Sequence, residues 1–181
     1  MIYFKKEPAE AEVTNLLSQV IKINSFDNRL VEFEEYNKMS EKDFLGYNNI
    51  PENNLPVDHG VKYSKKGFVN IGLGPDAEKL IDQVKDILGY HECTNALRYP
   101  EKSYMDWHTN SNVQGLRTYY VYNEKKGIFK YRNPDTGEII NDYDEPGWTK
   151  RSFFIHREHL LWHSVWSEGV RYAFGFNKNK K

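Results

Sequence analysis

The constraint that most limits this chain is the texture of its second half. After Gly89, short β-rich runs follow one another over 94–99, 104–108, 116–123, 128–132, 151–156, 160–165 and 170–176. Between two of them, Asn133-Pro134-Asp135-Thr136-Gly137 places proline and glycine for a tight turn. Many short strands with short connections predict an antiparallel sandwich or barrel. Two helices are expected outside it. One opens at Gly74-Pro75-Asp76, carries Ala77, Leu80, Ile81, Val84, Ile87 and Leu88 at helical spacing, and closes at Gly89. The other is expected from about Ala9 to Ile21, where Val13, Leu16, Leu17, Val20 and Ile21 share a face. The polar stretch 37–66 reads as a long irregular excursion of the kind that serves as a lid. Residues 177–181 read as a solvated basic end.

At 181 residues the chain has length for one domain with a self-sufficient core. Its formal net charge of −1 argues against a dedicated binder of duplex nucleic acid or of membrane surfaces. No run approaches the roughly 20 apolar residues of a membrane span, and Met1–Glu7 lacks the apolar stretch of a signal peptide. The single cysteine, Cys93, excludes an internal disulfide framework and fits a cytoplasmic location.

The six histidines are His59, His91, His108, His156, His159 and His163. His163 is followed eight positions later by Arg171. Period-two reading puts Arg171, Ala173 and Gly175 on one face of the last strand, with Val170, Tyr172, Phe174 and Phe176 on the other. An arginine beside two tiny residues predicts empty space next to a guanidinium fork, which suits a carboxylate.

These residues resemble a known family. His163 through Phe176 is similar to the distal histidine and arginine segment of the iron(II)/2-oxoglutarate-dependent dioxygenases, of the prolyl-hydroxylase-like kind. Arg98-Tyr99-Pro100 through Met105-Asp106-Trp107-His108-Thr109-Asn110 resembles the segment with the first metal ligands, where a Tyr-Pro pair precedes a strand ending in His-x-Asp. Gly115–Asn123 and Gly127-Ile128-Phe129 resemble the strands that follow. The likeness covers about 93–177.

It implies a mainly β fold with flanking helices, a double-stranded β-helix (jelly roll, cupin-like). Residues 1–92 would be a helical and irregular support region, 93–177 the core and 178–181 a flexible tail. It further implies a hydroxylase acting on a peptidyl or small-molecule substrate, with Fe(II) as metal and 2-oxoglutarate as co-substrate. His108, Asn110 and His163 take the metal-ligand and catalytic positions, and Arg171, with Tyr99, holds the keto acid. Two imidazoles and one oxygen donor leave positions open for a chelating keto acid and O₂.

The chain departs from the family at Asn110, where the pattern has a carboxylate. Asn110 binds iron or leaves a water-filled position with turnover retained; or the domain is a degenerate, non-catalytic member binding metal or a small acid; or Asp106 supplies the carboxylate from the same strand face. A vacant ligand position that admits halide, or deamidation at Asn110-Ser111, completes the readings. Ala173 stands where many relatives carry a serine. Arg98 and Arg117 face substrate or are exposed or ion-paired. Trp107, Trp148, Trp162 and Trp166 read as packing, with one or two as cavity wall. His59, His91, His156 and His159 read as surface or structural, with a supporting role open to His156 or His159. Cys93 reads as a small buried residue without a base or metal partner.

Overall fold

A computed structural model describes residues 4–23, 38–51, 68–90, 92–110, 114–156 and 160–178. The elements are β1 (Phe4–Pro8), α1 (Ala11–Ile23), α2 (Glu41–Gly46), β2 (Val69–Asn70), α3 (Pro75–Leu88), β3 (Glu92–Tyr99), β4 (Tyr104–His108), β5 (Gly115–Asn123), β6 (Gly127–Arg132), β7 (Ile139–Asp144), β8 (Gly147–Ile155), β9 (His163–Ser167) and β10 (Arg171–Lys178). They form a jelly roll of two antiparallel sheets, one of six strands in the order β1-β8-β5-β10-β3-β2 and one of four in the order β4-β9-β6-β7. The mainly β fold read from the sequence is therefore the observed one.

Helices α1 and α3 lie against the outer face of the larger sheet. Val13, Leu17 and Val20 of α1 and Ala77, Ile81 and Val84 of α3 join Tyr120, Phe174 and Phe176 in one buried cluster. The Tyr120 hydroxyl donates to Glu10 at 2.6 Å and Glu10 also pairs with Lys150, which ties the start of α1 to the sheet. Gly89 closes α3 at φ 63°, the left-handed region that suits glycine, and Tyr90 N–H returns to the Lys85 carbonyl at 3.1 Å.

Three strands escaped the sequence reading. β1 and β2 arise within the supposed helical support region and pair with β8 and β3 at the edges of the larger sheet. β7 is polar enough to pass for loop, yet it pairs with β6 from Gly127↔Asp144 to Arg132↔Ile139. The turn between them is as expected, with Asn133 Oδ1 accepting from Asp135 N–H at 2.9 Å and Gly137 at φ 75°. Asn177 and Lys178 belong to β10, and Asn177 is buried, so the solvated end begins later than its composition predicted.

Residues 38–51 are ordered on the outer face of the smaller sheet. Phe44 stacks on Trp166, Trp166 Nε1 donates to the Met39 carbonyl at 2.7 Å and Trp107 Nε1 to the Tyr47 carbonyl at 3.3 Å. The buried ammonium of Lys130 donates to the carbonyls of Phe44, Leu45 and Tyr47 and to Asn48 Oδ1, satisfying the last carbonyls of α2. None of residues 38–51 lines the central cavity, and the rest of the expected lid, 52–66, lies outside the described residues.

Burial pulls the Lys130 amine down to about 8. Its folded-state value thus lies below the roughly 10.4 of an unfolded lysine, so the unfolded chain binds more protons between these limits and stability rises with pH across that window. Urea unfolding at pH 7.5 and 9.5 should show wild type gaining about 1–2 kcal/mol relative to Lys130→Met as pH rises. A constant difference would show that the ammonium is not held at a desolvation cost.

Candidate metal and keto-acid site

Between the sheets lies a cavity of about 240 Å³. Alternation delivers Tyr99 and Leu97 from β3, Val121 and Tyr119 from β5 and Arg171 and Ala173 from β10 to its wall. Met105 and His108 of β4, His163 and Val165 of β9 and Phe129 of β6 form the opposite side.

His108 and His163 are cross-strand partners, with ring centroids 4.0 Å apart. Each ring is fixed in the same way by its own chain. His108 Nδ1 lies 2.8 Å from the Asp106 carbonyl and His163 Nδ1 lies 2.8 Å from the Leu161 carbonyl. A carbonyl only accepts, so both rings carry their proton on Nδ1 and leave Nε2 as the basic nitrogen, the form a metal ligand requires. Burial, with Arg117 and Arg151 adding to it, pulls the His163 imidazole down to about 4. It is neutral at physiological pH.

Asn110 follows the strand end at φ 56°, a left-handed conformation that asparagine and aspartate adopt more readily than other side chains. The amide is buried, and Asn110 Nδ2 donates to His163 Nε2 at 3.2 Å. His108, Asn110 and His163 are thus brought together at one end of the cavity. Among the described residues no three His, Cys, Asp or Glu side chains cluster, so the donor set is two imidazole nitrogens and an amide.

Asp106 is not brought to this set. The pairing of β4 with β9 is irregular between Met105 and His108, and this breaks the alternation that had placed Asp106 on the histidine's face. Met105 and His108 line the cavity, whereas Asp106 turns outward, accepts from Trp107 N–H at 2.7 Å and bonds to the Tyr47 hydroxyl. Burial first, then Asp106, pushes that hydroxyl up to about 12.

Arg171 starts β10 and is cross-strand partner to Tyr99 and Asn123. Its side chain is buried over the Tyr99 ring at 5.4 Å, and among the described residues Nε and Nη1 have no hydrogen-bond partner. A guanidinium this buried with open donors is the signature of a site for an anion. Among the described residues the Tyr99 hydroxyl donates to Met105 Sδ at 3.7 Å, and burial raises its pKa. The empty space inferred beside Arg171 is real at Ala173 but not at Gly175. A Cβ on Gly175 would run into Asn95 Oδ1 and come within 2.8 Å of the Tyr119 ring.

Sequence reasoning missed Asn95, Tyr119 and Arg151, all of which line the cavity. Tyr119 and Arg151 share the inward parity of their strands, which was the available signal. Arg117 is buried rather than exposed, makes no ion pair among the described residues and does not line the cavity; Arg98 is half-buried. None of the four tryptophans lines the cavity. His156 packs on Phe154 at 4.5 Å, while His59, His91 and His159 lie outside the described residues. Cys93 is half-buried, and burial pushes its thiol up to about 11, so it is a poor nucleophile.

No family model matches the chain, and no curated protein matches it in sequence. Solved structures do. The prolyl hydroxylase of Trichoplax adhaerens, solved with a hypoxia inducible factor oxygen degradation domain peptide fragment, is similar at 14% identity and a TM-score of 0.51, over 97% of this chain and 83% of that one. A Pseudomonas putida prolyl-4-hydroxylase is similar at 11% identity, over 97% and 92% of the two chains, with a TM-score of 0.45. The first likeness establishes the fold; the second is too distant to add to it.

The imidazole of His163 sets a pH dependence. Its folded-state value lies below the roughly 6.5 of an unfolded histidine, so its contribution is present above pH 6.5 and lost as pH falls toward 4. In metal-free protein, urea unfolding at pH 7.5 and 4.5 should show wild type losing about 2 kcal/mol more than His163→Gln. Equal losses would place the ring in a more solvated setting than the structure gives it.

Proposed function

We propose that this protein is a non-haem iron(II), 2-oxoglutarate-dependent oxygenase that hydroxylates a peptidyl or small-molecule substrate. One observation carries the reading. Two imidazoles present Nε2 beside the Asn110 amide at one end of a cavity between the sheets, and a buried guanidinium with unused donors stands in the same cavity. Such a donor set and such an arginine fit a metal and the distal carboxylate of a keto acid held together. His108, His163 and Asn110 would hold the iron, which supplies the oxidative decarboxylation of 2-oxoglutarate that activates O₂ for attack on a C–H bond.

The chain's own residues do the rest. Asp106 and Leu161 hold the two rings in their metal-ready form through their carbonyls. Arg171 binds the distal carboxylate and so orients the keto end toward the histidines, with the Tyr99 hydroxyl beside it. Phe129, Val165, Leu97 and Val121 keep water from the reacting region. The peptide bound to the Trichoplax neighbour supports a peptidyl substrate.

A second reading is favoured by one contact. Asn110 Nδ2–H donates into the His163 Nε2 lone pair, which satisfies the site without metal. On that reading the domain is a non-catalytic jelly roll that binds a small carboxylic acid.

Anaerobic titration with iron(II) and then 2-oxoglutarate separates the two. The oxygenase reading expects the weak visible charge-transfer band of the chelate in wild type, and its loss in Arg171→Ala at matched concentrations. No band in wild type with a clear band in Asn110→Asp would instead support the binding domain.

A further inference from the structure

The cavity wall holds more charge than one arginine. Arg151 of β8 lines the cavity and is buried across from β7. Its Nε and Nη2 donate to Asp142 Oδ2 at 3.1 and 2.6 Å, and its Nη1 and Nη2 donate to Asp144 at 3.2 and 2.7 Å. Asp144 is itself wholly buried, and Lys6 Nζ lies 3.5 Å from it.

Asp144 also stands toward Arg171. It is cross-strand partner to Gly127, and a Cβ on Gly127 would lie 2.7 Å from Asn123 Oδ1. Asn123 in turn is cross-strand partner to Arg171. Strand register thus brings Asp144, Asn123 and Arg171 to neighbouring positions across the two sheets. Neither amide atom of Asn123 has a hydrogen-bond partner. Among the described residues no ion pair involves Arg171. Arg151, Arg171 and the partly exposed Lys6, which also pairs with Asp142 at 3.0 Å, carry three positive charges against the two negative ones of Asp142 and Asp144, and Arg171 is bonded to neither acid.

We infer that Asp144 is the counter-charge of Arg171, a carboxylate held off by Arg151 so that it offsets the buried guanidinium at a distance, leaves its donors open, and restrains its affinity for simple anions. The inference rests on the carboxylate-binding role proposed above for Arg171. A buried guanidinium without any opposing charge is strongly disfavoured, and one paired bidentately with a carboxylate has fewer donors left to offer. Holding the acid on a second arginine avoids both. Burial raises the Asp144 carboxyl, but Arg151, then Arg171 and Lys6, hold it below the usual range. Burial lowers the Arg171 guanidinium, and Asp144 is the strongest influence in the other direction. The consequence is selectivity: chloride or acetate gains little at Arg171, whereas an acid also anchored at the histidine end binds.

Calorimetry of the metal-free full chain with succinate and with acetate, in chloride-free buffer, tests this. Asp144→Asn should bind both roughly tenfold more tightly than wild type. The gain should vanish when Arg171→Met is added, and Asp144→Glu should stay within about twofold of wild type. A merely structural partner of Arg151 predicts the opposite, since loosening the site weakens binding. Asn123→Asp, which adds a carboxylate beside Arg171 without changing side-chain size, should weaken succinate by about tenfold or more, and it decides the matter if Asp144→Asn does not fold. Unchanged or weaker binding by Asp144→Asn, or unchanged binding by Asn123→Asp, overturns the inference. The oxygenase reading fails separately: wild type would then show no 2-oxoglutarate binding with manganese(II), while Asp144→Asn still gains succinate.

Discussion

A guanidinium shared by two carboxylates joins the two sheets where their strands share no backbone hydrogen bonds. Arg151 belongs to the six-stranded sheet and Asp142 and Asp144 to the four-stranded one. Strands that diverge around a cavity can be held only by side chains, and here the side chains are charged. Such a cluster adds little net stability over a hydrophobic replacement, but losing one member leaves a buried charge uncompensated, at about 3–5 kcal/mol. Its value lies in register. β7 is an edge strand with mostly half-buried residues, and the double fork of Arg151 admits only the pairing that brings Asp142 and Asp144 inward together.

The same strut reaches the histidines. The Arg151 guanidinium lies 4.7 Å from the Phe129 ring centre, and Phe129 stacks on His163 at 5.3 Å. A charged side chain, an aromatic ring and an imidazole thus form one packed column across the cavity wall. The column fixes the ring plane of His163, and its backbone bond to Leu161 fixes which nitrogen faces inward. On the outer face Trp107, Tyr47 and Lys130 hold residues 38–51 against the smaller sheet, and this turns Asp106 away from the cavity. The β4 irregularity decides which side chains the site receives.

How much of this was legible in the sequence follows from the range of each cause. Alternation along one strand is local, so the inward set Arg171, Ala173 and Gly175 and the outward set Tyr172, Phe174 and Phe176 could be read directly. Helix α3 was legible because proline, apolar spacing and terminal glycine all lie within one short segment. Asp106 was misplaced because a break in strand pairing is a property of two strands, and nothing in Tyr104–His108 announces it. β7 was missed because its inward residues are aspartates, which read as loop until Arg151 is seen opposite them. Lys130 gave no signal either, since the carbonyls that bury it lie more than 80 positions away. The space over Gly175 looked empty because only the fold shows Asn95 and Tyr119 leaning into it.

The amide at Asn110 takes its meaning from charges elsewhere. Its left-handed backbone is one that asparagine and aspartate adopt more readily than other side chains apart from glycine. In the family pattern an acid at this place supplies one negative charge near the metal, and the distal arginine supplies one positive charge. Here the acid is absent, and on the inference above the arginine has Asp144 as its counter-charge, held on Arg151. On the proposed reading, a divalent cation and the dianion of a keto acid sum to zero, so the neutral amide at 110 leaves the loaded site without a net charge of its own. An aspartate at position 110 would add one negative charge to that sum, beside a His163 ring that burial keeps neutral.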